Sequence, residues 1–166
     1  MMRLGMLYAI TDEELKQLLE QPEEERYDYM LNEIEEVLFN TPRACELNKA
    51  WDGIQYCLGA GIWNEENKLP YNVIVGGEPL VYMGDDAGEI LTLKRLPQVE
   101  EIAGYLQQHN LSEIIQNNHD KINEEEYYFT VDKENLEFLL SSCGEIQKFY
   151  EHAAKEGCHV IFSVDI

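Results

Sequence analysis

The residues whose types and spacing could bind a ligand lie in one run of the sequence, NKAWDGIQYCLGAGIW. On a helix, Trp51 and Gln55 share one face, while Asp52 and Tyr56 share another at the i, i+4 spacing. Gly53 is an expensive choice in the middle of a helix, which indicates that another backbone segment or a ligand comes close there. The run therefore raises the hypothesis of a binding pocket.

In this hypothesis Trp51 and Trp63 form apolar walls, and polar groups of the helix and of the GGE turn converge between them. Ligand sites combine mostly apolar walls with a few polar groups that fix orientation. The predicted site residues are Trp51, Asp52, Gln55, Tyr56, Trp63, Gly77 and Glu78. The alternative is that Trp51 anchors the helix in the core and that the glycines of GAG only end the helix, because buried aromatic residues usually serve packing.

The sequence gives little support to catalysis, to a cofactor or to a metal site. The VGGEPL turn lacks the lysine and the glycine spacing of a phosphate-binding loop. Cys158 and His159 are adjacent, so in a strand they point to opposite faces, and His152 and Cys143 complete no evident ligand set. We expect no metal and no cofactor, and we leave open whether the protein is an enzyme.

The composition is strongly acidic, with 12 basic residues against 33 acidic ones and a net charge of −21. Such a charge argues against binding to nucleic acids and to anionic membrane surfaces, since both require positive charge. A basic protein partner fits, because complementary fields speed association, and a toxin-neutralising role is one form of such binding. The alternative is that the acidity only keeps the protein soluble.

The periodicity of apolar residues predicts an α+β fold. Strands are expected near residues 3–10, 89–95 and 158–165, forming a small mixed β-sheet covered by several amphipathic helices. No run of about 18 apolar residues exists, so we expect no membrane-spanning segment. With no internal repeat or linker, residues 1–166 are expected to form a single domain.

Several helix boundaries can be predicted from local signals. Thr11 precedes Glu14 at the spacing of a capping box, and Asp132 is a candidate cap for a helix ending at Gly157, with a bend at Gly144. Thr41-Pro42 is a start signal for a helix that runs through Leu58. The three residues 73–75 are either a strand or a buried helical turn.

Four segments carry a resemblance to one family. They are the opening GMLYAITDEELKQLL and the ranges Asn48–Gly61, Leu69–Leu80 and Phe149–Asp165. Together, and in this order, they resemble the YfbM-like bacterial proteins, a domain family of unknown function. The resemblance implies a compact α+β domain in a bacterial cytoplasm and no established enzymatic activity.

Taken together, the sequence favours a small acidic cytoplasmic protein that acts as a non-enzymatic protein-binding module. The alternative function is that of a small-molecule-binding protein or an undetected enzyme, with its pocket around Trp51–Trp63 and Gly77-Glu78. Self-association is a further possibility. The sequence contains no coiled-coil repeat from which an oligomeric state could be predicted, so it leaves this possibility open.

Overall fold

The computed structural model describes residues 4–127 and 129–166. Its described strands form one five-stranded sheet in the order β2-β1-β5-β4-β3. The strands are β1 (Gly5–Ile10), β2 (Ala44–Asn48), β3 (Glu78–Pro79), β4 (Glu89–Lys94) and β5 (His159–Asp165). The α+β class is confirmed. The expected mixed pairing is wrong for the described strands, because each neighbouring pair, including the terminal strands β1 and β5, runs antiparallel.

The described helices lie mainly between β1 and β2 and between β2 and β5. They are α1 (Asp12–Leu19), α2 (Arg26–Tyr29), α3 (Glu36–Leu38), α4 (Trp51–Leu58), α5 (Lys68–Tyr71), α6 (Leu96–Gln108), α7 (Leu111–Asn118), α8 (Lys133–Ser142) and α9 (Ile146–Lys155). A π-helical segment, Met30–Glu35, joins α2 to α3, and short 3₁₀ segments occupy Glu23–Glu25 and His119–Lys121. In the described part of the chain, no helix is long and apolar enough to cross a bilayer.

The three predicted strands are confirmed with small changes at their ends. The first begins at Gly5, and residue 3 of its predicted range lies outside the described residues. The second and third correspond to β4 and β5. Residues 73–75 form a buried turn after α5 and not a strand.

The helix predicted from Thr41 through Leu58 is wrong over its first part, because Ala44–Asn48 forms β2. Thr41 does not cap a helix: its hydroxyl donates to the Leu38 carbonyl at 2.6 Å and accepts the Arg43 N–H at 3.2 Å, which closes a turn. After that turn, Cys45 and Leu47 are buried while the residues between and after them are exposed, which is the period of an edge strand. The helix itself begins at Trp51.

The single long helix predicted between Asp132 and Gly157 is two helices, α8 and α9. Asp132 caps α8 as predicted, since its Oδ1 accepts the Asn135 N–H at 2.8 Å. The break falls at Cys143–Glu145, around the glycine at which a bend was predicted. Gly157, with a φ of 70°, ends α9 in the left-handed conformation that glycine adopts without strain.

The sheet separates two apolar cores. On one face, Leu7 and Phe162 pack against α4 and α6–α9, and this core contains Trp51. On the other face, Tyr8 and Ile161 pack against α1 and the helical segment that follows it. Side chains of neighbouring residues in β1 and β5 alternate between these cores, as the two-residue period of a strand requires. The two faces of the sheet therefore support different surfaces of the protein.

Candidate functional site

A surface pocket of about 350 Å³ lies between the first turns of α4, the segment after this helix and the turn that precedes α8. We call it the aromatic pocket. Its lining residues are Trp51, Asp52, Tyr56, Trp63, Glu125, Glu126 and Tyr127. The volume falls in the lower part of the range of roughly 300–1,000 Å³ that small-molecule sites occupy. Four of the predicted site residues thus line one concave surface.

The aromatic rings of the pocket contact each other edge to face. The ring centroids of Trp51 and Trp63 are 6.2 Å apart at an interplanar angle of 82°. Tyr56 lies 5.2 Å from Trp63 and 5.7 Å from Tyr127, at angles of 64° and 65°. This is the geometry that aromatic pairs prefer. Because neighbouring rings are steeply inclined, they enclose a corner and do not stack into a flat layer.

The end of α4 places Trp63 opposite Trp51. The Gly61 N–H donates to the Tyr56 carbonyl at 2.8 Å, which is the bond of a Schellman-type helix end. Gly61 has a φ of 101°, and a Cβ at this position would collide with the backbone of Lys121. Glycine is therefore required both for the sharp turn and for the close approach that carries the chain to Trp63.

Trp51 belongs both to the pocket and to the core. Only 4% of its surface is exposed, and its ring centroid lies 5.6 Å from that of Phe162 in the central strand β5. A Cβ added to Gly5 would lie 2.8 Å from the Trp51 side chain, so β1 approaches this tryptophan at a glycine. The packing interpretation of Trp51 therefore holds alongside its position in the pocket wall.

A buried hydrogen-bonded chain holds Tyr127 in place. The Asn135 side chain donates from Nδ2 to Tyr127 Oη at 3.0 Å, and its Oδ1 lies 2.7 Å from His119 Nε2. Because Asn135 Oδ1 can only accept, His119 Nε2 carries the proton in this bond. A Cβ on Gly53 would lie 2.5 Å from Tyr127 Oη and 2.7 Å from Leu139. The predicted close approach at Gly53 is thus made by two side chains.

We expect Asn135→Ala to lower the free energy of unfolding by about 2–4 kcal/mol, because it leaves the buried His119 and Tyr127 groups without their partner. Urea denaturation measures this loss. Asn32→Ala, at an exposed position of the π-helical segment, is the matched control and should change stability by less than about 0.5 kcal/mol. Equal losses in the two variants would show that the chain through Asn135 contributes nothing specific.

Carboxylates and burial together keep the pocket phenols protonated. Burial raises the pKa of Tyr127 to about 12, with a further contribution from the charge of Asp52. The pKa of Tyr56 is also raised, by burial first and then by the charges of Glu126 and Asp52. The Asp52 Oδ1 accepts the N–H of Gly53 at 2.8 Å. The pocket therefore combines neutral aromatic rings with a negative electrostatic field.

The remaining predicted site residues do not line this pocket. Gln55 is 1% exposed, donates from Nε2 to the Tyr71 carbonyl at 3.3 Å and accepts the Val75 N–H at 3.2 Å, so it ties α4 to the turn after α5. Gly77 has a φ of 128°, and a Cβ there would lie 2.5 Å from the Leu93 carbonyl oxygen. Glu78, in the edge strand β3, pairs with Arg95 at 3.2 Å. The structure does not bring Glu78 to the two tryptophans.

Sequence reasoning missed the second side of the pocket. This side is formed by Glu125, Glu126 and Tyr127, which come from the turn that precedes α8. The Tyr56 hydroxyl donates to the Glu126 carbonyl at 3.4 Å across 70 positions of the chain. A run of acidic residues ending in tyrosines is the one local signal of this site, and it does not reveal which helix the run faces.

Among the histidines and cysteines near the C-terminus, His159 holds elements of the fold together. His159 is buried, its Nδ1 accepts the Leu96 N–H at 3.0 Å, and its Nε2 lies 2.6 Å from Asp12 Oδ1. This ring therefore connects β5 to the first turns of α6 and α1. Within residues 4–127 and 129–166, no three His, Cys, Asp or Glu side chains form a group that could hold a metal ion.

A second carboxylate-rich surface lies on the opposite face of the sheet, and we call it the acidic face. Its residues are Glu23, Glu24, Asp28, Glu35, Asp86, Glu89 and Asp165. Four of them, Asp165, Glu89, Glu35 and Asp28, act on Tyr27, whose pKa is raised to about 12 by burial first and then by these charges. A pocket of about 310 Å³ beside them also includes Val81 and Tyr82. The acidic face and the aromatic pocket thus belong to different cores of the molecule.

Comparison with known proteins identifies the family. The profile of the family described as Domain of unknown function (DUF1877) matches residues 1–163. The chain belongs to the DUF1877 family.

A solved structure has a fold similar to that of this DUF1877 protein. The crystal structure of YfbM from Escherichia coli, a protein of unknown function, superposes with a TM-score of 0.65 at 18% sequence identity. The match covers 97% of this chain and 99% of YfbM, and it confirms the resemblance stated from the sequence. A comparison with curated proteins gave no match. These relatives show the fold of the DUF1877 protein and leave its function to the sites described above.

Proposed function

We propose that this DUF1877 protein is a non-enzymatic binding module that recognises a basic protein partner through the acidic face. The observation that carries the proposal is the convergence of seven carboxylates beside exposed apolar side chains on one surface. Such a surface offers long-range attraction and short-range apolar contact to the same partner.

The charges of the acidic face are available to a partner. In the described part of the chain, none of its seven carboxylates forms an ion pair with a lysine, arginine or histidine. The nearby Arg26 is turned to backbone carbonyls and donates to those of Leu80, Gln21 and Leu19 at 3.0–3.3 Å. Glu35 accepts a hydrogen bond from the Tyr8 hydroxyl at 2.5 Å. The field of this face is therefore not cancelled by internal pairing.

Apolar anchors stand next to these charges. Tyr82 is 63% exposed and Met83 is 39% exposed, in the loop that contributes Asp86 to the acidic face. The Tyr82 hydroxyl donates to the Asp85 carbonyl at 2.9 Å, which fixes the ring against its own loop. Tyrosine and methionine are enriched in the centres of protein interfaces, where a rigid ring loses little conformational freedom on binding.

The proposal is tested with a partner captured from the lysate of the protein's own host and then purified. We expect its dissociation constant to rise at least tenfold between about 50 and 200 mM NaCl, because exposed charges are screened over this range. The triple variant Glu23→Gln, Glu24→Gln, Glu89→Gln should weaken binding by a similar factor at low salt. Glu23 and Glu24 are exposed and Glu89 is half-buried, and the near-isosteric glutamines should leave the fold intact.

A matched control distinguishes the effect of carboxylates on the acidic face from the effect of the overall net charge. The triple variant Glu100→Gln, Glu101→Gln, Glu113→Gln removes the same charge from exposed positions of α6 and α7. We expect it to bind nearly as well as the native chain. Equal weakening by both triple variants, or binding that does not respond to salt, would count against the acidic face as the recognition surface.

Neutralisation of a basic toxin is one activity that such a module could have, and the identity of the captured partner decides it.

The aromatic pocket supports a second candidate function, the binding of a small ligand. Its two phenols have raised pKa values, so at neutral pH they donate hydrogen bonds and do not act as bases. This favours binding over acid–base catalysis in the pocket.

A further inference from the structure

We propose that the aromatic pocket binds an organic cation, a guanidinium or an alkylated ammonium group, against the half-buried rings of Trp63 and Tyr56. The inference names a ligand class for a surface on the opposite side of the sheet from the acidic face. It therefore does not rest on the proposed protein partner. The shared chemistry is a cationic group with apolar surface, carried either by an arginine or lysine side chain or by a free small molecule.

The rings supply the first part of this recognition. The face of an aromatic ring carries negative charge density, and cations bind over it within about 6 Å of the centroid, best over tryptophan. Trp63 and Tyr56 are half-buried, and their planes are inclined by 64° with centroids 5.2 Å apart. Tyr127 continues the wall at 65° to Tyr56. Inclined rings of this kind can surround a cationic group on more than one side.

The carboxylates supply the second part. Glu125 and Glu126 are exposed at the rim, and Asp52 lies on the same turn of α4 as Trp51. After burial, the charges of Glu126 and Asp52 contribute to the raised pKa of Tyr56, and the charge of Asp52 contributes to that of Tyr127. Among the described residues that line the pocket, none is a lysine or an arginine. An entering cation therefore meets the charges of the exposed rim carboxylates Glu125 and Glu126.

The donor set favours an organic cation over a metal ion. The described residues contain no group of three potential metal ligands at suitable geometry, in this pocket or elsewhere. Four of the seven lining residues are aromatic, and aromatic rings recognise alkylated and guanidinium cations but coordinate hard metal ions poorly. The volume of about 350 Å³ accommodates a group the size of an arginine head or a trimethylammonium group.

The test uses pairs of probes that match in shape and differ in charge. N-acetyl-arginine methylamide is compared with its neutral citrulline analogue, and choline is compared with 3,3-dimethyl-1-butanol. The chain has two tryptophans, Trp51 and Trp63, and both line the pocket, so their fluorescence and indole N–H signals report on this site. Ionic strength is held constant with NaCl.

We expect at least one cation to bind roughly tenfold or more tightly than its neutral analogue. A preference limited to the arginine pair indicates a partner's side chain as the natural ligand, and a preference limited to choline indicates a free molecule. Glu125→Gln with Glu126→Gln should weaken the preferred cation several-fold, while Glu33→Gln, on the opposite side of the sheet, should not. Equal affinity for charged and neutral probes, or no response of either tryptophan, would overturn the proposal whether or not the acidic face binds a protein.

Discussion

Relative to a Lys94→Met variant, the native chain is expected to gain stability as the pH rises toward 10.5. The difference in free energy of unfolding should change by up to about 1.4 kcal/mol for each pH unit in the window just below the ordinary lysine pKa of 10.5. This is the slope that one proton gives, and it makes Lys94 one of the most informative positions for a stability measurement.

The physical reason is the burial of an amine that has no acidic partner among the described residues. Lys94 is fully buried in β4, its Nζ donates to the Ile74 carbonyl and to Thr92 Oγ1 at 3.3 Å, and it lies 5.5 Å from the centre of the Phe162 ring. Burial lowers the pKa of this amine well below its ordinary value. Hydrogen bonds to neutral oxygens do not replace the hydration that a charged ammonium group loses.

The sign of the effect follows from the proton count. Below pH 10.5 the amine binds a proton in the unfolded chain, whereas in the folded chain it stays neutral until the pH falls to its lowered pKa. In that window the unfolded state binds more protons, so falling pH favours unfolding. The penalty grows as the pH is lowered from 10.5 and becomes constant below the folded pKa. Methionine at this position has no proton to bind and removes the dependence.

Urea denaturation of both proteins at pH values from about 7 to 10 measures the difference. The tyrosines and cysteines that also titrate in this range are common to both chains, so their contributions cancel to first order. Methionine leaves the Ile74 carbonyl without its donor, which shifts the whole curve but not its slope. Parallel curves would mean that Lys94 is charged in the folded protein.

Local signals in the sequence predicted those parts of the fold that are decided within one helical turn. The capping box of Thr11 and Glu14 is present, with hydrogen bonds of 3.2 and 2.8 Å, and Asp132 caps α8. The apolar residues of Glu89–Lys94 were also sufficient to predict strand β4, in which the structure buries five residues in a row after Glu89. These features need no knowledge of distant residues.

Strand β2 could not be predicted in the same way. Its pairing with β1 joins Leu7 to Cys45 and Tyr8 to Ala44, and this long-range contact decides the conformation of a segment whose Thr41-Pro42 start resembles that of a helix. Tertiary pairing overrides local propensity where a short segment completes a sheet.

The site shows the same division between local and distant information. The structure brings Trp51, Asp52, Tyr56 and Trp63 to one concave surface, because one helix and the segment at its end contain all four. Gly77 precedes the edge strand β3 and allows a close approach to β4, and Glu78 begins that strand and pairs with Arg95. Residue types in the sequence indicate candidate site residues, and the topology of the fold decides which of these residues lie close together.

The second large effect separates packing from binding at the two tryptophans. We expect Trp51→Ala to lower the free energy of unfolding by about 3–5 kcal/mol, because this ring is 4% exposed and packs on Phe162 and on β1 at Gly5. Trp63→Ala should cost only about 1–2 kcal/mol, since the ring is half-buried and its removal leaves a surface depression and no internal cavity. Urea denaturation measures both losses.

The binding measurement should order the two variants differently. Trp63 presents its ring to the pocket beside Tyr56, so Trp63→Ala is expected to abolish the preference for a cationic probe while the protein stays folded. Because Trp51 remains in this variant, its indole signal still reports on the pocket. A Trp63→Phe variant restores a ring face and should recover part of the preference. If Trp63→Ala binds cations as well as the native chain, the aromatic wall serves packing alone, and the edge-to-face contact with Trp51 is part of the core and not of a binding site.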